Sequence, residues 1–243
     1  MTRFFVSEQE MIQNSIVLSG DNAAHAKVLR LKAGELVLVC DGKGSECICK
    51  VAEMSPNQVE LLVEERQKGS TEASISASIY LGFPKADKLE HVIQKATELG
   101  ANEIVAFPTA RCISKPDEKS LTKKLERWQK IAASAAEQSG RGRIPEVILL
   151  PSYSKALERA KLADKAILFY ENENATTLHM ALSDGQCRSI SLITGPEGGF
   201  EPGEVLQAQE AGISVCTLGR RILRCETAPL CALSAVMYAC GEF

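Results

Sequence analysis

The chain has 243 residues, enough for one large domain or two unequal ones, and its 45% hydrophobic and 24% charged residues are ordinary for a globular protein. The net charge of -3 excludes a uniformly basic protein that coats nucleic acid without specificity. Nine cysteines, an odd number placed mostly in apolar runs, predict reduced buried thiols and not a disulfide framework.

Two further features bear on metal binding and on targeting. Cys47 and Cys49 would lie on one side of a strand, but no second Cys or His pair stands at the spacing of a zinc site. The first six residues are followed at once by polar ones, and no run approaches the roughly 18 apolar residues of a membrane span. We therefore expect a cytoplasmic protein with no metal, no signal peptide and no membrane segment.

Residues 1–66 have the pattern of a small β domain. Strands are predicted at 16–18, 35–40, 47–51 and 58–63. The turn at 41–44 contains two glycines and is typical of a hairpin, and a second turn is predicted at 55–57. Several short strands joined by such turns predict a compact barrel. The polar stretch 67–72 is expected to be a linker.

From residue 75 onward, predicted strands and helices alternate. The strands are 75–83, 103–107, 147–150, 166–170, 189–194 and 213–217. The helices are 87–99, 121–138, 154–161, 176–182, 202–211 and 226–240. This alternation predicts an α/β domain with a mainly parallel sheet, in which ligands bind at the carboxyl ends of the strands.

One such strand end carries a glycine-rich turn, Gly195-Pro196-Glu197-Gly198-Gly199, here called the glycine loop. It matches no phosphate-binding fingerprint, and Glu197 would repel a phosphate. A ligand without phosphate that needs close backbone approach, such as S-adenosylmethionine, fits better. The alternative is that the glycines only form a sharp turn before a helix.

The next strand end carries Leu218-Gly219-Arg220-Arg221-Ile222-Leu223-Arg224, here called the arginine loop. Apolar Ile222 and Leu223 flanked by cations suit an adenine pocket beside an anionic substrate. The alternative places the arginines on a solvated face and the two apolar residues in the core.

A basic stretch lies within the predicted α/β domain. Residues 111–145 contain nine Lys or Arg against four Asp or Glu, whereas residues 1–70 contain eight against ten. Within it, Arg141 and Arg143 are separated by a glycine, and the planar guanidinium suits phosphate recognition. We favour contact with RNA over the alternative, in which these cations only balance the dipole at a helix C-terminus.

Several motifs occur in an order that is specific in combination. They are Arg3-Phe4-Phe5-Val6, His-Ala-Lys-Val-Leu-Arg-Leu at 25–31, Lys-Ala-Asp-Lys-Leu-Glu at 85–90, Gln-Lys-Ala-Thr-Glu-Leu-Gly at 94–100, Glu-Gln-Ser at 137–139 with Arg141, Gly-Pro-Glu-Gly-Gly-Phe at 195–200, and residues 218–228. With them the chain resembles, over nearly its whole length, the bacterial 16S ribosomal RNA uridine-N3 methyltransferases of the SPOUT superfamily.

The resemblance implies both a fold and a function. Residues 1–70 would form a PUA-like β-barrel that binds RNA. Residues 74–243 would form a SPOUT α/β domain with a C-terminal trefoil knot, an exception to the rule against threaded chains. The activity would be S-adenosylmethionine-dependent methylation of N3 of a uridine in 16S ribosomal RNA of the small subunit, by a homodimer with its site near the subunit interface.

The expected site residues fall into two sets. Those expected to bind the cofactor are Glu171, Thr194, Gly195, Pro196, Glu197, Gly198, Gly199, Leu218, Gly219, Arg221, Ile222, Leu223 and Arg224. Those expected to contact RNA are Arg3, Lys27, Arg30, Lys85, Lys88, Arg111, Arg141 and Arg143, with Lys32 on the same face of the first domain.

Methylation of uracil N3 makes its own chemical demands. The base must be unpaired or extruded, because N3 lies on its pairing edge and carries a proton. Arg224 and Arg221 are candidates for stabilising the developing uracil anion, and Glu197 or Glu226 for accepting the proton. Arg224 and Glu226 are therefore the predicted catalytic residues, and the choice between the two glutamates stays open.

Three other functions compete with this prediction. An RNA-binding module without catalysis would not bind S-adenosylmethionine. A nucleotide-dependent oxidoreductase would have a phosphate fingerprint after an early strand, and Gly82-Phe83-Pro84-Lys85 is not one. Another SPOUT enzyme, with a target such as transfer RNA, is disfavoured only by the family likeness.

Overall fold

A computed structural model describes residues 1–113, 118–183 and 187–243 of the protein. The chain forms two compact units, the first made of residues 1–72 and 136–144 and the second of residues 73–135 and 145–243. No sequence pattern indicated that residues 136–144 belong to the first unit. Among the described residues, no helix is both long and apolar enough to cross a membrane.

The first unit is built on a five-stranded sheet with the order β1-β3-β4-β5-β2. Its elements are β1 (Thr2–Phe5), α1 (Glu8–Met11), β2 (Ser15–Ser19), α2 (Gly20–Val28), β3 (Leu36–Cys40), β4 (Ser45–Met54) and β5 (Gln58–Lys68). Strands β1 and β3 are parallel, and the other neighbours are antiparallel. The four predicted strands are present, while β1 and both short helices were not predicted.

Strand alternation explains the core of this unit. In β2, Ile16 and Leu18 are buried while Val17 points outward, as the two-residue period of a strand requires. The predicted linker is wrong at its start, because Gln67 and Lys68 pair with Glu46 and Ser45 of β4 and extend the sheet. Long antiparallel pairing therefore outweighs the polar character of this stretch.

Helix α2 ends with an arginine in the left-handed conformation. Arg30 has φ 55°, its N–H donates to the Lys27 carbonyl at 2.9 Å, and the Leu31 N–H donates to the Ala26 carbonyl at 3.2 Å. These two bonds form a Schellman motif, in which the left-handed position is normally glycine. A side chain in this conformation costs free energy, so the local backbone would favour glycine over arginine at position 30.

Two arginines of the first unit are buried in ion pairs. Arg3 is 9% exposed and donates to Glu46, which is 3% exposed, and to the Cys40 Sγ at 3.0 Å. Arg141 is 4% exposed and lies 2.6 Å from the Glu72 Oε2. Because both guanidinium groups are enclosed and paired with carboxylates, the predicted RNA contacts of Arg3 and Arg141 are wrong, and both residues have structural roles.

The second unit contains a six-stranded sheet with the order β11-β9-β10-β6-β7-β8, and every neighbouring pair is parallel. Its elements are β6 (Ser76–Gly82), α3 (Lys88–Glu98), β7 (Glu103–Phe107), α4 (Glu118–Ser139, which ends in the first unit), β8 (Glu146–Leu149), α5 (Tyr153–Ala160), β9 (Lys165–Phe169), α6 (Leu178–Leu182), β10 (Ser189–Thr194), α7 (Pro202–Glu210), β11 (Ser214–Cys216) and α8 (Ala228–Ala239). The predicted α/β fold with a parallel sheet is confirmed.

The strand order creates a switch point at the centre of this sheet. Strand β6 has β7 on one side and β10 on the other, so the chain builds the sheet outward in both directions from β6. Ligands of open parallel sheets bind beside such a point, at the carboxyl ends of the strands. Helix α8 follows the edge strand β11 yet contacts β6, β10 and α3, so the chain returns to the sheet centre after residue 216. The trefoil knot stays a prediction.

Candidate functional site

A cavity of about 610 Å³ lies in the second unit, at the carboxyl ends of β9, β10 and β11. Its volume is within the range of small-molecule and cofactor sites. All residues predicted to bind the cofactor line it: Glu171, Thr194, the whole glycine loop and the arginine loop apart from Arg220, which was not predicted. The structure thus brings together two loops that are separated in the sequence by residues 200–217, which contain α7 and β11.

Several lining residues were not predicted for the cavity. They are Phe169, Tyr170, Asn174, Phe200, Thr217, Arg220, Cys225, Ala228, and Lys88, which was assigned to RNA. Tyr170 and Asn174 follow the end of β9, as Glu171 does, so the rule that ligands bind at the carboxyl ends of strands could have found them. Lys88 comes from the start of α3, and no local signal links it to the two loops.

Glycines let the glycine loop pack closely against its surroundings. Gly199 has φ 65°, and its N–H donates to the Pro196 carbonyl at 2.9 Å, which closes the turn. A Cβ at Gly82, the last residue of β6, would lie 2.6 Å from the Pro196 Cδ and 2.9 Å from the Pro196 N. Only glycine permits this approach, so Gly82 is a supporting residue that the sequence did not identify.

Arg111 holds the glycine loop from outside. Its Nη1 donates to the Gly198 carbonyl at 3.0 Å, and its side chain is 43% exposed. A Cβ at Gly198 would lie 2.9 Å from the Arg111 Cβ, so the two backbones need a glycine here. The predicted RNA contact of Arg111 stays a prediction, and the structure adds a role in supporting the loop.

Lys88 joins two carboxylates at the wall of the cavity. Its Nζ lies 3.1 Å from the Glu197 Oε1 and 3.0 Å from the Glu226 Oε2. The Glu197 Oε1 also accepts the Lys85 backbone N–H at 3.0 Å. Its ammonium is thus held by two glutamates, and the predicted RNA contact of Lys88 stays a prediction.

The same contacts lower the pKa of both glutamates proposed as bases. Burial acts to raise the pKa of Glu226, but hydrogen bonds from its own backbone N–H, Lys88 and Cys225 outweigh burial and lower it to about 2. Glu226 also does not line the cavity. A carboxylate with a lowered pKa is a poor proton acceptor at neutral pH, which disfavours Glu226 as the base, and its catalytic role stays a prediction.

Glu197 is a poor base for a related reason. Its burial favours a higher pKa, but the Lys85 backbone N–H, its own backbone N–H and the Lys88 ammonium together bring the pKa below its usual value. Beside these groups, burial and the neighbouring Glu226 raise the pKa of the Cys225 thiol to about 12, so this thiol is uncharged at neutral pH. Neither side chain is suited to accept a proton.

The arginine loop presents its cations on the open side of the cavity. Arg220, Arg221 and Arg224 are exposed, and the Ile222 side chain is 86% exposed. The Arg224 carbonyl accepts the N–H groups of Thr227 and Ala228 at 2.8 and 2.9 Å, which anchors the start of α8. The backbone of Arg224 is therefore structural, while its guanidinium remains accessible to a substrate.

The other residues predicted to contact RNA lie on exposed surface. Lys27, Arg30 and Lys32 are exposed in the first unit, as is Arg143, whose backbone N–H donates to the Glu72 Oε1 at 3.0 Å. Lys85 is exposed in the second unit. Their RNA contacts stay predictions.

Comparison with known proteins identifies the family of the chain. A family model described as "RNA methyltransferase domain" matches residues 71–237, and one described as "RNA methyltransferase PUA domain" matches residues 18–64. The chain is 38% identical to Ribosomal RNA small subunit methyltransferase E of Bacillus subtilis (strain 168), with 98% of this chain and 96% of the relative covered.

Solved structures agree with this relationship. A Ribosomal RNA small subunit methyltransferase E from Neisseria gonorrhoeae bound to S-adenosyl methionine is 30% identical, with a TM-score of 0.86 and 98% of each chain covered. A methyltransferase from Legionella pneumophila in complex with the cofactor SAM is 28% identical, with a TM-score of 0.85 and 98% of each chain covered. The resemblance seen in the motifs is confirmed: this chain belongs to the ribosomal RNA small subunit methyltransferase E family.

Proposed function

We propose that this protein transfers the methyl group of S-adenosylmethionine to N3 of a uridine in 16S ribosomal RNA of the small subunit. The observation that carries the proposal is the single cavity wall formed by the glycine and arginine loops at the carboxyl ends of β10 and β11. Relatives of this chain bear the name of a small subunit methyltransferase, and two similar structures hold S-adenosylmethionine.

The residues around the cavity fit this cofactor. Leu218, Ile222 and Leu223 offer apolar contact for an adenine ring, and glycine backbone in both loops offers hydrogen-bonding groups without side chains in the way. The carboxylates of Glu171 and Glu197 favour a ligand with positive charge. When bound, the cofactor supplies an electrophilic methyl group on a sulfonium that is a good leaving group, so the chemistry requires no metal.

The protein must then manage the charge of the uracil. Loss of the N3 proton places negative charge on the base, and the exposed guanidinium groups of Arg224 and Arg221 can donate hydrogen bonds to the uracil carbonyl oxygens. Of the three glutamates discussed for this site, Glu171 is the one in the cavity lining that is not bound to Lys88. We propose that Glu171 is the carboxylate nearest to the point where the N3 proton leaves the uracil.

Two measurements test the proposal. Calorimetry with S-adenosylmethionine should show one binding event per chain, and mass spectrometry of 16S ribosomal RNA from cells lacking the protein should show the loss of one N3-methyluridine. Binding without any change in the RNA would leave an S-adenosylmethionine protein with another RNA target. Absence of binding would favour an RNA-binding module without catalysis.

We propose that Arg30 contributes to RNA binding, which would explain an arginine where glycine is preferred. Arg30→Gly should raise the free energy of unfolding by roughly 0.5–1 kcal/mol, because the left-handed backbone no longer carries a side chain. The same change should weaken RNA binding and reduce the salt dependence of the affinity by about one phosphate contact. Denaturant unfolding and RNA titration at several salt concentrations measure the two effects.

Arg30→Ala is the matched control for this pair of measurements. Alanine removes the same charge but keeps a Cβ in the left-handed conformation, so RNA binding should weaken equally with no gain in stability. A salt dependence that is unchanged in both variants would exclude Arg30 from the RNA surface.

We also propose that the protein acts as a homodimer with α8 in the interface. This helix contains no charged residue, yet Thr227, Cys231, Ala235 and Tyr238 form an exposed line along it at helical spacing. Ala235→Glu should therefore convert the dimer to a monomer in sedimentation experiments, because it buries an unpaired charge in the interface. Ala24→Glu, on the exposed face of α2, is the control and should leave the dimer intact. A dimeric Ala235→Glu variant would place the interface elsewhere.

The cytoplasm is the compartment we propose for this reaction. All nine cysteines are free thiols, and Cys240, which lies outside the proposed interface line, is exposed. A free exposed thiol persists in a reducing compartment, which is also where ribosomal subunits are assembled.

A further inference from the structure

The segment that leads into α3 has a conformation that its own sequence does not favour. Ala86 has φ 51°, a left-handed conformation that costs free energy for any residue with a Cβ. Lys88 is the first residue of α3, where the helix dipole disfavours a cation. The Asp87 side chain makes no capping hydrogen bond to the helix. Local interactions therefore do not explain this segment.

Contacts with the cavity loops do explain it. The Glu197 Oε1 accepts both the Lys85 backbone N–H at 3.0 Å and the Lys88 Nζ at 3.1 Å, and the turn at Ala86 lies between these two donors. The Lys88 Nζ also lies 3.0 Å from the Glu226 Oε2. Glu197 belongs to the glycine loop, and Glu226 comes two residues after the arginine loop. One ammonium group thus connects the two loops that form the cavity.

We propose that Lys88 is a positioning residue that holds the glycine loop and the arginine loop at the separation needed to bind S-adenosylmethionine. This inference rests on the proposed function. Backbone strain of the kind seen at Ala86 is typical of functional sites, where the surrounding contacts hold it in place.

The charges of the cluster support a role in binding over one in folding alone. The side chains of Lys88, Glu197 and Glu226 are 30%, 25% and 20% exposed, so none of them is in the core, and Lys88 and Glu197 line the cavity. Two carboxylates and one ammonium leave one negative charge beside the cavity, which favours a ligand that carries a sulfonium. The Cys225 thiol donates to the Glu226 Oε2 at 3.2 Å. Because this thiol is uncharged, it does not change the net charge of the cluster.

The test compares Lys88→Met with Lys88→Arg by calorimetric titration of S-adenosylmethionine at several pH values between 5 and 8. We expect Lys88→Met to weaken binding about tenfold at pH 8, and Lys88→Arg to restore it to within about threefold of the unchanged protein. Without the ammonium, Glu197 and Glu226 repel each other, and the pKa of the pair rises. The loss in Lys88→Met should therefore shrink as the pH falls toward 5.

Lys95→Met is the matched control. Lys95 lies on the same helix and pairs with Glu98 at 2.8 Å, on a surface away from the cavity lining. It should bind S-adenosylmethionine as the unchanged protein does at every pH. Because Lys88→Met could unfold, Glu226→Gln provides a second test, with binding about threefold weaker expected from the loss of one connection.

The outcomes separate this inference from the proposed function. If the unchanged protein binds no S-adenosylmethionine, both fail together. If it binds, and Lys88→Met and Glu226→Gln bind equally well, the connecting role of Lys88 is overturned while the proposed function stands. A loss that is the same at all pH values and is not restored by arginine also overturns it, because it indicates only a structural ion pair.

Discussion

Arg224→Ala is expected to lower the kcat of methyl transfer about 100-fold while S-adenosylmethionine binding stays within about threefold of its original strength. The reason is that the Arg224 guanidinium is exposed at the cavity and placed to donate to a uracil that is losing its N3 proton. The substitution leaves the Arg224 carbonyl in place, so its bonds to the Thr227 and Ala228 N–H groups and the start of α8 are preserved.

Single-turnover methylation of small subunit RNA, combined with calorimetry, measures these two quantities separately. Arg188→Ala is the control, because Arg188 is an exposed arginine just before the amino end of β10, at the edge of the sheet opposite the cavity. Its kcat should be unchanged. If Arg224→Ala kept more than half of the original kcat, Arg224 would not be the donor to the developing anion.

The second large effect concerns stability. Glu46→Ala should lower the free energy of unfolding of the first unit by about 3–5 kcal/mol, because it leaves the Arg3 guanidinium buried without its carboxylate. Arg3 is 9% exposed, and the sulfur of Cys40 is a weak acceptor that does not replace a charge. Denaturant unfolding followed by a probe in the first unit measures the change.

A double variant shows whether the cost comes from the unpaired charge. Arg3→Met with Glu46→Leu removes both charges and keeps apolar volume, and we expect it to recover most of the lost stability. Glu53→Ala is the control on the same strand, since Glu53 is exposed and lies opposite Glu60 in β5. It should change stability by less than about 0.5 kcal/mol. A loss in Glu46→Ala as small as this would show that the Arg3–Glu46 pair is solvated.

Regular patterns made much of the fold predictable. The burial of Leu89, Val92, Ile93 and Ala96 on one face of α3 follows directly from the 3.6-residue period. The six strands of the second unit were predictable because strands buried on both faces are continuous apolar runs. The short helix α2 was missed because its buried residues, Ala23 and Ala26, are too small to produce a clear period.

The position of the candidate site was predictable from the sequence, whereas the roles of its charged residues were not. Strand ends are visible in the sequence, so the glycine loop, the arginine loop and Glu171 could be placed at one edge of the sheet. Glu226 was assigned as a base only because it follows the arginine loop. Its hydrogen bonds with Lys88 and Cys225, which lower its pKa, come from contacts that no spacing in the sequence indicates.

The sequence alone determines where a ligand binds. The composition of the glycine loop and the arginine loop, and their place after parallel strands, are sufficient to locate the site. Which charges are free to act was decided by the tertiary structure. Arg3, Lys88 and Arg141 look like surface cations along the chain, yet each is paired with a carboxylate between 43 and 138 residues away. Burial and pairing depend on these distant neighbours, so the electrostatics of the site follow only from the folded chain.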